Sequence, residues 1–177
     1  MNIDTIPFQD ICNYYDNVLN ADKSTYKSSN DEPTPMLCVE ELVQSIPTDF
    51  WKQPNLKILD PCCGNGNFGV HLYHKLIAHH SSKDILEKIL EFNDINETRL
   101  NNVRSVFNND EYQLQITTND FLNTDYSQLY DLIVANPPYA KLLENGKRAS
   151  KNHNLIKDFI QKSLKCLKPG GYLLFIT

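Results

Sequence analysis

The 177-residue sequence contains no apolar run close to the ~20 residues that a membrane-spanning helix needs, which excludes helical membrane spans. It has no internal repeat and no low-complexity tract, which excludes repeat and fibrous architectures. The opening MNIDTIPFQD lacks a signal-type apolar stretch, so we expect a cytoplasmic protein. Basic residues are not in excess. A net charge of -5 argues against a chain that grips nucleic acid over its whole surface.

The cysteines lack the spacing of a metal site. There are five, with no CxxC pair and no Cys/His set: Cys12, Cys38, Cys62, Cys63 and Cys166. The adjacent pair Cys62-Cys63 invites a redox or metal interpretation, but neighbouring side chains diverge and no second pair completes a zinc set. We therefore expect reduced thiols beside a tight turn and no metal.

Positive charge is concentrated in one stretch, from Lys141 to Lys157. It holds five basic residues against the single acid Glu144. Both a phosphate-contacting loop and a solvated surface loop fit this pattern, and the sequence leaves the two open.

Apolar spacing predicts helices and strands in alternation. The predicted elements are a helix within Phe8 to Leu19, a helix with Thr34 as N-cap and Pro35 as first residue, a strand over 56–60, a helix from Phe68 to about His80, a helical turn at SSKDILEK, a strand ILEFND, a helix ETRLNNVRSVF, strands YQLQITTND and LYDLIVANPP, a helix capped by Asn154 and ended by KPGG, and a fifth strand YLLFIT. This order is typical of a Rossmann-like α/β fold, an open, mainly parallel sheet with helices on both faces. We expect residues 1–33 to form an N-terminal helix and polar loop, and residues 34–177 to form the core, which binds ligands at the carboxyl ends of its strands.

An acid and several glycines follow the first predicted strand, in DPCCGNGNFG. The literal GxGxxG that begins at Gly64 suggests a dinucleotide site. However, Asp60 and Pro61 stand where a pyrophosphate needs an uncharged turn, and Asp94 comes later than the usual ~20 residues. A carboxylate here suits a ligand that carries positive charge.

S-adenosylmethionine is such a ligand, because it carries a sulfonium, an ammonium and only one carboxylate. Asp60 is expected to face the cationic amino-acid part, while Gly64 and Gly66 let the backbone approach and the next helix N-terminus favours the carboxylate. Asp94 is expected to accept hydrogen bonds from the ribose hydroxyls.

The adenine ring of the cofactor is assigned to residues at the third strand end. Asp120 is expected to accept from the adenine amino group and Phe121 to pack on its face. Pro61 and Ile95, the neighbours of the two strand-end acids, and Asn136 are also expected to contact the cofactor. Each residue also has a structural interpretation, since strand-end acids cap helices and Phe121 fits an apolar core.

The stretch DLIVANPPYAK ends an apolar strand on Asn-Pro-Pro-Tyr. Prolines end strands and Asn favours turns, which is the structural explanation. A chemical explanation is that Asn136 Oδ1 and the Pro137 carbonyl accept from the two N–H groups of an exocyclic amine and localise its lone pair. Pro137 and Pro138 fix φ and so place these acceptors, while Tyr139 offers a ring for stacking.

Together these motifs resemble the S-adenosylmethionine-dependent amino-methyltransferases, most closely the gamma-class DNA adenine-N6 methyltransferases of restriction-modification systems. DPCCGNGNF is similar to their first motif, including Phe68, and NPPY to their catalytic motif. TPMLCVEEL resembles the segment that covers the methionine part of the cofactor, which carries a cofactor role to Thr34 and Pro35. The resemblance covers roughly Thr34 to Thr177.

The resemblance implies methyl transfer from S-adenosylmethionine to the N6 amine of adenine in DNA, with the base flipped out of the duplex. Enzymes that methylate RNA adenine or protein glutamine use NPPY too, so these acceptors stay open, as does a non-catalytic half of a split enzyme. The family's chain continues into further strands and a target-recognition domain. We therefore expect a catalytic core that is truncated after the fifth strand and needs a C-terminal part or partner chain to recognise DNA sequence.

Overall fold

The protein forms one parallel sheet covered by helices, as the computed structural model shows for residues 2–25, 32–108, 110–126, 129–139 and 155–177. The helices in these ranges are α1 (Phe8–Tyr14) with a π-helical turn (Tyr15–Leu19), α2 (Met36–Gln44), α3 (Asn67–Leu76), α4 (Ser82–Asp84) with a π-helical turn (Ile85–Ile89), α5 (Glu97–Val106) and α6 (Leu155–Cys166). Short 3-10 turns lie at Lys23–Thr25 and Thr48–Lys52. The strands are β1 (Ile58–Asp60), β2 (Leu90–Asn93), β3 (Gln115–Thr117), β4 (Tyr130–Ala135) and β5 (Leu167–Phe175).

The strand order is β3-β2-β1-β4-β5, and all four pairings are parallel. The chain builds outward from β1 to β3 and then crosses to β4 on the other side of β1. This reversal opens a crevice between the carboxyl ends of β1 and β4, where such sheets bind ligands. The predicted Rossmann-like fold class is confirmed.

Alternate side chains of the central strands enter two separate cores, because successive residues of a strand point to opposite faces. Ile58 and Leu132 join the larger apolar cluster, which contains residues of α1, α2, α3 and α5. Leu59 and Ile133 join a smaller cluster with Phe159 of α6. Helices thus cover both faces, as the alternating pattern predicts.

The start of α2 differs from the prediction by one residue. The helix begins at Met36, and Pro35 is its N-cap in an extended conformation with ψ of 143°. Thr34 makes no capping bond, because its hydroxyl accepts from the side chain of Asn136 instead. The end of α3 also differs from the prediction, because the helix ends at Leu76 rather than near His80.

The KPGG segment does not separate α6 from the last strand as predicted. Helix α6 ends at Cys166 and β5 begins at the next residue. The register changes from Tyr130 opposite Leu167 to Leu132 opposite Tyr172, so KPGG forms a bulge within β5. β5 lies at an edge of the sheet. The predicted cap Asn154 and residues 141–154 of the basic stretch lie outside the described residues.

Close packing of α3 on the sheet depends on Gly69. A Cβ atom at this position would lie 2.5 Å from Cε1 of Phe92 on β2 and 2.9 Å from Cζ of Phe107. Both rings are fully buried and hold their positions against each other, with centroids 5.0 Å apart.

We expect Gly69→Ala to destabilise the protein by about 1 to 3 kcal/mol through overpacking. The sign is informative, because Gly→Ala inside a helix otherwise stabilises by roughly 0.5 to 1 kcal/mol. Urea unfolding followed by circular dichroism measures the difference, with Lys75→Ala on the same helix as the control. A variant as stable as the wild type would show that α3 moves away from the sheet at little cost.

Candidate cofactor and active site

A cleft lies at the carboxyl ends of β1 and β4, where the strand order reverses. Its walls come from the loop after β1, the first residues of α3, the residue after β4, the segment before α2, and α5. The lining residues are Glu32, Pro33, Thr34, Cys62, Cys63, Gly64, Asn65, Asn67, Phe68, Arg99 and Asn136. Segments that are far apart in the sequence therefore meet here, and four predicted site residues, Thr34, Gly64, Phe68 and Asn136, are among them.

Asp60 is a buried carboxylate with incomplete hydrogen bonding. Its Oδ1 accepts a long bond of 3.4 Å from the N–H of Cys62, and its Oδ2 has no partner in the described part of the chain. Burial raises the pKa of this carboxyl well above its usual range. A buried carboxylate in this state favours a cationic ligand, which would compensate its charge.

Asp94 connects the end of β2 to the glycine loop, which is the segment 61–66 between β1 and α3. Its Oδ2 accepts from the N–H of Gly64 at 2.8 Å, and its Oδ1 accepts from the N–H of Asn96 at 2.8 Å. These two bonds fix the position of Gly64 relative to the end of β2. Gly64 has a φ of 55°, and no atom lies within 4 Å of a Cβ built there, so its outer side is open.

Asn93, which the sequence analysis did not select, ties three strand ends together. Its Nδ2 donates to the carbonyls of Pro61 at 2.8 Å and Asn119 at 3.0 Å. Its Oδ1 accepts from Thr117 Oγ1 at 2.8 Å and from the N–H of Asn119 at 3.0 Å. One buried side chain thus fixes the loops after β1 and β3 relative to β2.

Asn136 follows β4 and has a fixed amide orientation. Its Nδ2 donates to Thr34 Oγ1 at 3.1 Å and to the carbonyl of Glu32 at 3.2 Å. A carbonyl accepts only, so the NH2 group must face it. Oδ1 therefore keeps its capacity to accept from a substrate.

The other members of the NPPY motif differ in exposure. Pro137 is buried, while Pro138 is exposed and Tyr139 is 39% exposed. The ring of Tyr139 is thus accessible to a planar group.

The residues predicted to hold the adenine ring do not line the cleft. Asp120 organises its own turn, because its carboxylate accepts from the N–H of Leu122 and from Nδ2 of Asn123. Phe121 is buried in the smaller apolar cluster, with its ring centroid 5.3 Å from that of Phe159. Ile95 is 63% exposed. A cofactor role for these three stays a prediction.

The N-terminal segment also holds the glycine loop, which the sequence did not reveal. The hydroxyl of the fully buried Tyr15 donates to the Asn65 carbonyl at 2.8 Å, and Nδ2 of Asn102 donates to Asn65 Oδ1 at 3.0 Å.

Arg99 is a second cleft residue that the sequence analysis did not select, although the sequence contains a signal for it. It occupies a position on α5 next to Leu100 and in phase with Val103 and Val106, on the buried face of the helix.

The surroundings of the two thiols in the cleft, Cys62 and Cys63, favour their neutral form. Burial raises the pKa of Cys62 and of Cys63 well above the usual range, and nearby carboxylates add to the effect.

Within the described residues, no group of three or more His, Cys, Asp or Glu side chains is arranged to hold a metal ion. In the same part of the chain no helix is long and apolar enough to cross a membrane.

A family model for the methyltransferase small domain matches residues 39–177. The chain belongs to this methyltransferase family. Its N-terminal segment, which contributes Thr34 and Tyr15 to the site, lies before the matched region.

The methyltransferase resembles a protein of restriction-modification type. It is 31% identical over 155 residues to the type II methyltransferase M.VspI of Vibrio sp. (strain 343). This alignment covers 81% of this chain and 35% of that protein. The chain thus spans about a third of the length of this relative.

Two solved structures have the same fold. A protein assigned to the class I S-adenosylmethionine-dependent methyltransferases, from Listeria monocytogenes, matches with a TM-score of 0.66 at 18% identity, over 99% of this chain and 55% of that one. The methyltransferase subunit of a type I restriction-modification system from Streptococcus thermophilus matches with a TM-score of 0.62 at 14% identity, over 81% and 34%.

These comparisons confirm the coarser predictions. The chain is a methyltransferase by family, and S-adenosylmethionine, the predicted cofactor, is the cofactor of the methyltransferases that share its fold. The gamma class, the adenine acceptor and the individual site residues stay predictions.

We expect Asn93→Asp to destabilise the protein by about 3 kcal/mol at neutral pH, because the new carboxylate would face the carbonyls of Pro61 and Asn119 without a proton to donate. Its pKa would be raised in the folded state, so the loss is largest above that pKa. The loss should shrink as the pH falls towards ~3.9, the value of an unfolded Asp.

Urea unfolding between pH 5 and pH 8 measures this effect. Asn101→Asp is the matched control, since Asn101 is exposed and its Oδ1 accepts from Arg104. Equal stability losses in the two variants at every pH would show that Asn93 does not tie the loops.

Proposed function

We propose that this methyltransferase transfers the methyl group of S-adenosylmethionine to the N6 amine of adenine in DNA, as a modification enzyme. The observation that carries the proposal is the oriented amide of Asn136. Both its donor bonds go to the segment before α2, so an acceptor is reserved in a cleft shared with the glycine loop. The relatives of restriction-modification type support DNA as the substrate.

Residues in the wall of the cleft, together with Asp60 and Asp94, which are buried at the adjoining strand ends and do not line it, suit S-adenosylmethionine chemically. Asp60 offers a buried carboxylate whose Oδ2 lacks a partner in the described chain, which matches the ammonium or sulfonium. Asp94 holds the glycine loop, and its place at the end of β2 is where a strand-end acid accepts from ribose hydroxyls in other nucleoside sites. Thr34, Gly64 and Phe68 lie in the wall of the same cleft. When bound, the cofactor supplies a methyl group activated by the sulfonium.

Asn136 and Pro137 provide the chemistry that the chain itself must supply. Asn136 Oδ1 and the Pro137 carbonyl each accept a hydrogen bond from the exocyclic amine, which concentrates its lone pair in the direction of attack. The methylated nitrogen is then cationic and loses its proton readily, so no strong general base is needed. Tyr139 stacks on the flipped base, which offsets part of the few kcal/mol that flipping costs.

Recognition of a DNA sequence is assigned to protein outside this segment. The net charge of -5 gives the chain little attraction for phosphates, and about two thirds of the length of M.VspI lies outside the matched region. A C-terminal part or partner chain would therefore choose the target. The described chain provides the cofactor site and part of the base site, and the enzyme works in the cytoplasm, where it meets DNA.

Asn136→Ala should reduce methyl transfer by at least ~100-fold, a loss of the size seen when one oriented transition-state contact is removed. Affinity for S-adenosylmethionine should change much less, because the amide faces the acceptor. Transfer of label from S-adenosylmethionine to DNA, RNA and total protein measures the first quantity, and calorimetric titration the second.

The choice of polymer tests the acceptor directly. Label in N6-methyladenine of DNA is the expected result. Label only in RNA adenine or protein glutamine would contradict the DNA assignment, and equal losses of transfer and affinity in Asn136→Ala would contradict the role of the amide.

Asp60→Asn should weaken S-adenosylmethionine binding while it stabilises the free protein. Asn retains the acceptor towards Cys62 but carries no charge. Because the folded-state pKa of Asp60 is raised, its ionisation opposes folding, most strongly above that pKa and not at all below the unfolded value of ~3.9.

The unfolding midpoint of Asp60→Asn should therefore exceed that of the wild type at pH 7, and the gain should vanish as the pH falls to about 4. Calorimetry gives both the midpoint and the affinity. Asp49→Asn, at a side chain that is 92% exposed, is the control. Unchanged affinity would remove Asp60 from the cofactor site.

A further inference from the structure

The segment Glu32 to Pro35, called the strap below, contributes to the wall of the cleft and has few backbone N–H groups with which to fix its own position. Pro33 and Pro35 have no N–H to donate and fix φ, and each proline keeps the residue before it extended. The strap therefore needs bonds from outside to stay in place. Lys23 Nζ donates to the Glu32 carboxylate at 2.9 Å, and two buried or half-buried asparagines provide further bonds, one from each side of the cleft.

Asn136 supplies the first of these bonds from the end of β4. Its Nδ2 donates to the Glu32 carbonyl and to Thr34 Oγ1, so the strap sets the orientation of the amide. The direction of Oδ1 is thus only as well defined as the position of Thr34.

Asn67 supplies the other bond from the first residue of α3. Its Nδ2 donates to the Thr34 carbonyl at 2.7 Å and to Asn20 Oδ1 at 3.1 Å, and the side chain is buried. Asn67 thus grips the same residue, Thr34, whose hydroxyl holds Asn136. The shorter of its two bonds goes to the strap.

We propose that Asn67 is a positioning residue that acts through Thr34 to orient the Asn136 amide towards the acceptor amine. The inference rests on the proposed function for its consequence in catalysis, but the geometric relay from Asn67 to Thr34 to Asn136 stands apart from it. Loss of the Asn67 amide releases the strap, and the Asn136 NH2 group then loses fixed partners. Methyl transfer falls because Oδ1 is no longer held in one direction.

The test observes the Asn136 side chain directly. The Nδ2 proton pair of Asn136 is recorded by nitrogen-15 correlation NMR of the full chain and assigned from its absence in Asn136→Ala. In Asn67→Ala and Thr34→Val the pair should shift and its protons should exchange with water at least ~10-fold faster, because both variants remove a bond of the relay.

Asn102→Ala is the matched control, since Asn102 Nδ2 donates to Asn65 in the same region but not to the strap. Its effect on the Asn136 pair should be small. Should Asn67→Ala fail to fold, Asn67→Ser replaces it, because the shorter hydroxyl keeps the position polar without reaching Thr34. An unmoved Asn136 pair in a folded Asn67 variant would overturn the proposal.

Kinetics form the second readout. The kcat of Asn67→Ala should fall about tenfold or more, and the Kd for S-adenosylmethionine should change by a smaller factor. Equal changes would indicate a role in cofactor binding and overturn the positioning role. If the wild-type chain transfers label only to RNA adenine or protein glutamine, the proposed function fails, and the NMR comparison alone decides the role of Asn67.

Discussion

The site depends on one buried amide, that of Asn93. A parallel sheet delivers its strand ends to one edge, but the loops that follow have no ladder to fix them. Asn93 uses both donor protons and both acceptor sites of its side chain on the loops after β1 and β3. Its own carbonyl also accepts from the N–H of Cys63 at 2.9 Å. The glycine loop, β2 and the turn before Phe121 are consequently held in fixed positions relative to one another.

The parts of this molecule that follow from local chemistry could be predicted from the sequence. Alternating periodicity located the strands, and Gly, Pro and acidic residues marked their carboxyl ends. The cleft accordingly contains Thr34, Gly64, Phe68 and Asn136 as expected. The one-residue error at Pro35 arose because a Thr-Pro pair fits two helix starts equally well, and the distant partner of Thr34 decided between them.

The asparagine contacts could not be predicted, because each depends on a partner that only the folded topology brings close. Asn67 bonds to Thr34, 33 residues away, and Tyr15 to Asn65, 50 residues away. An Asn beside a glycine is also typical of an ordinary turn, so its type gives no signal. The buried Arg99 is the exception. Its position on the apolar face of α5, in phase with Val103 and Val106, could have been recognised from the sequence alone.

The distance along the chain between Thr34 and Asn136 has a consequence for how the site is assembled. Their hydrogen bond joins residues 102 positions apart and requires β4 to be in place beside β1. Contacts of such high contact order form late, because the intervening loop must be closed before they contribute. The arrangement of the cleft is therefore a property of the completed sheet, and a folding intermediate without β4 would have the glycine loop but no oriented amide.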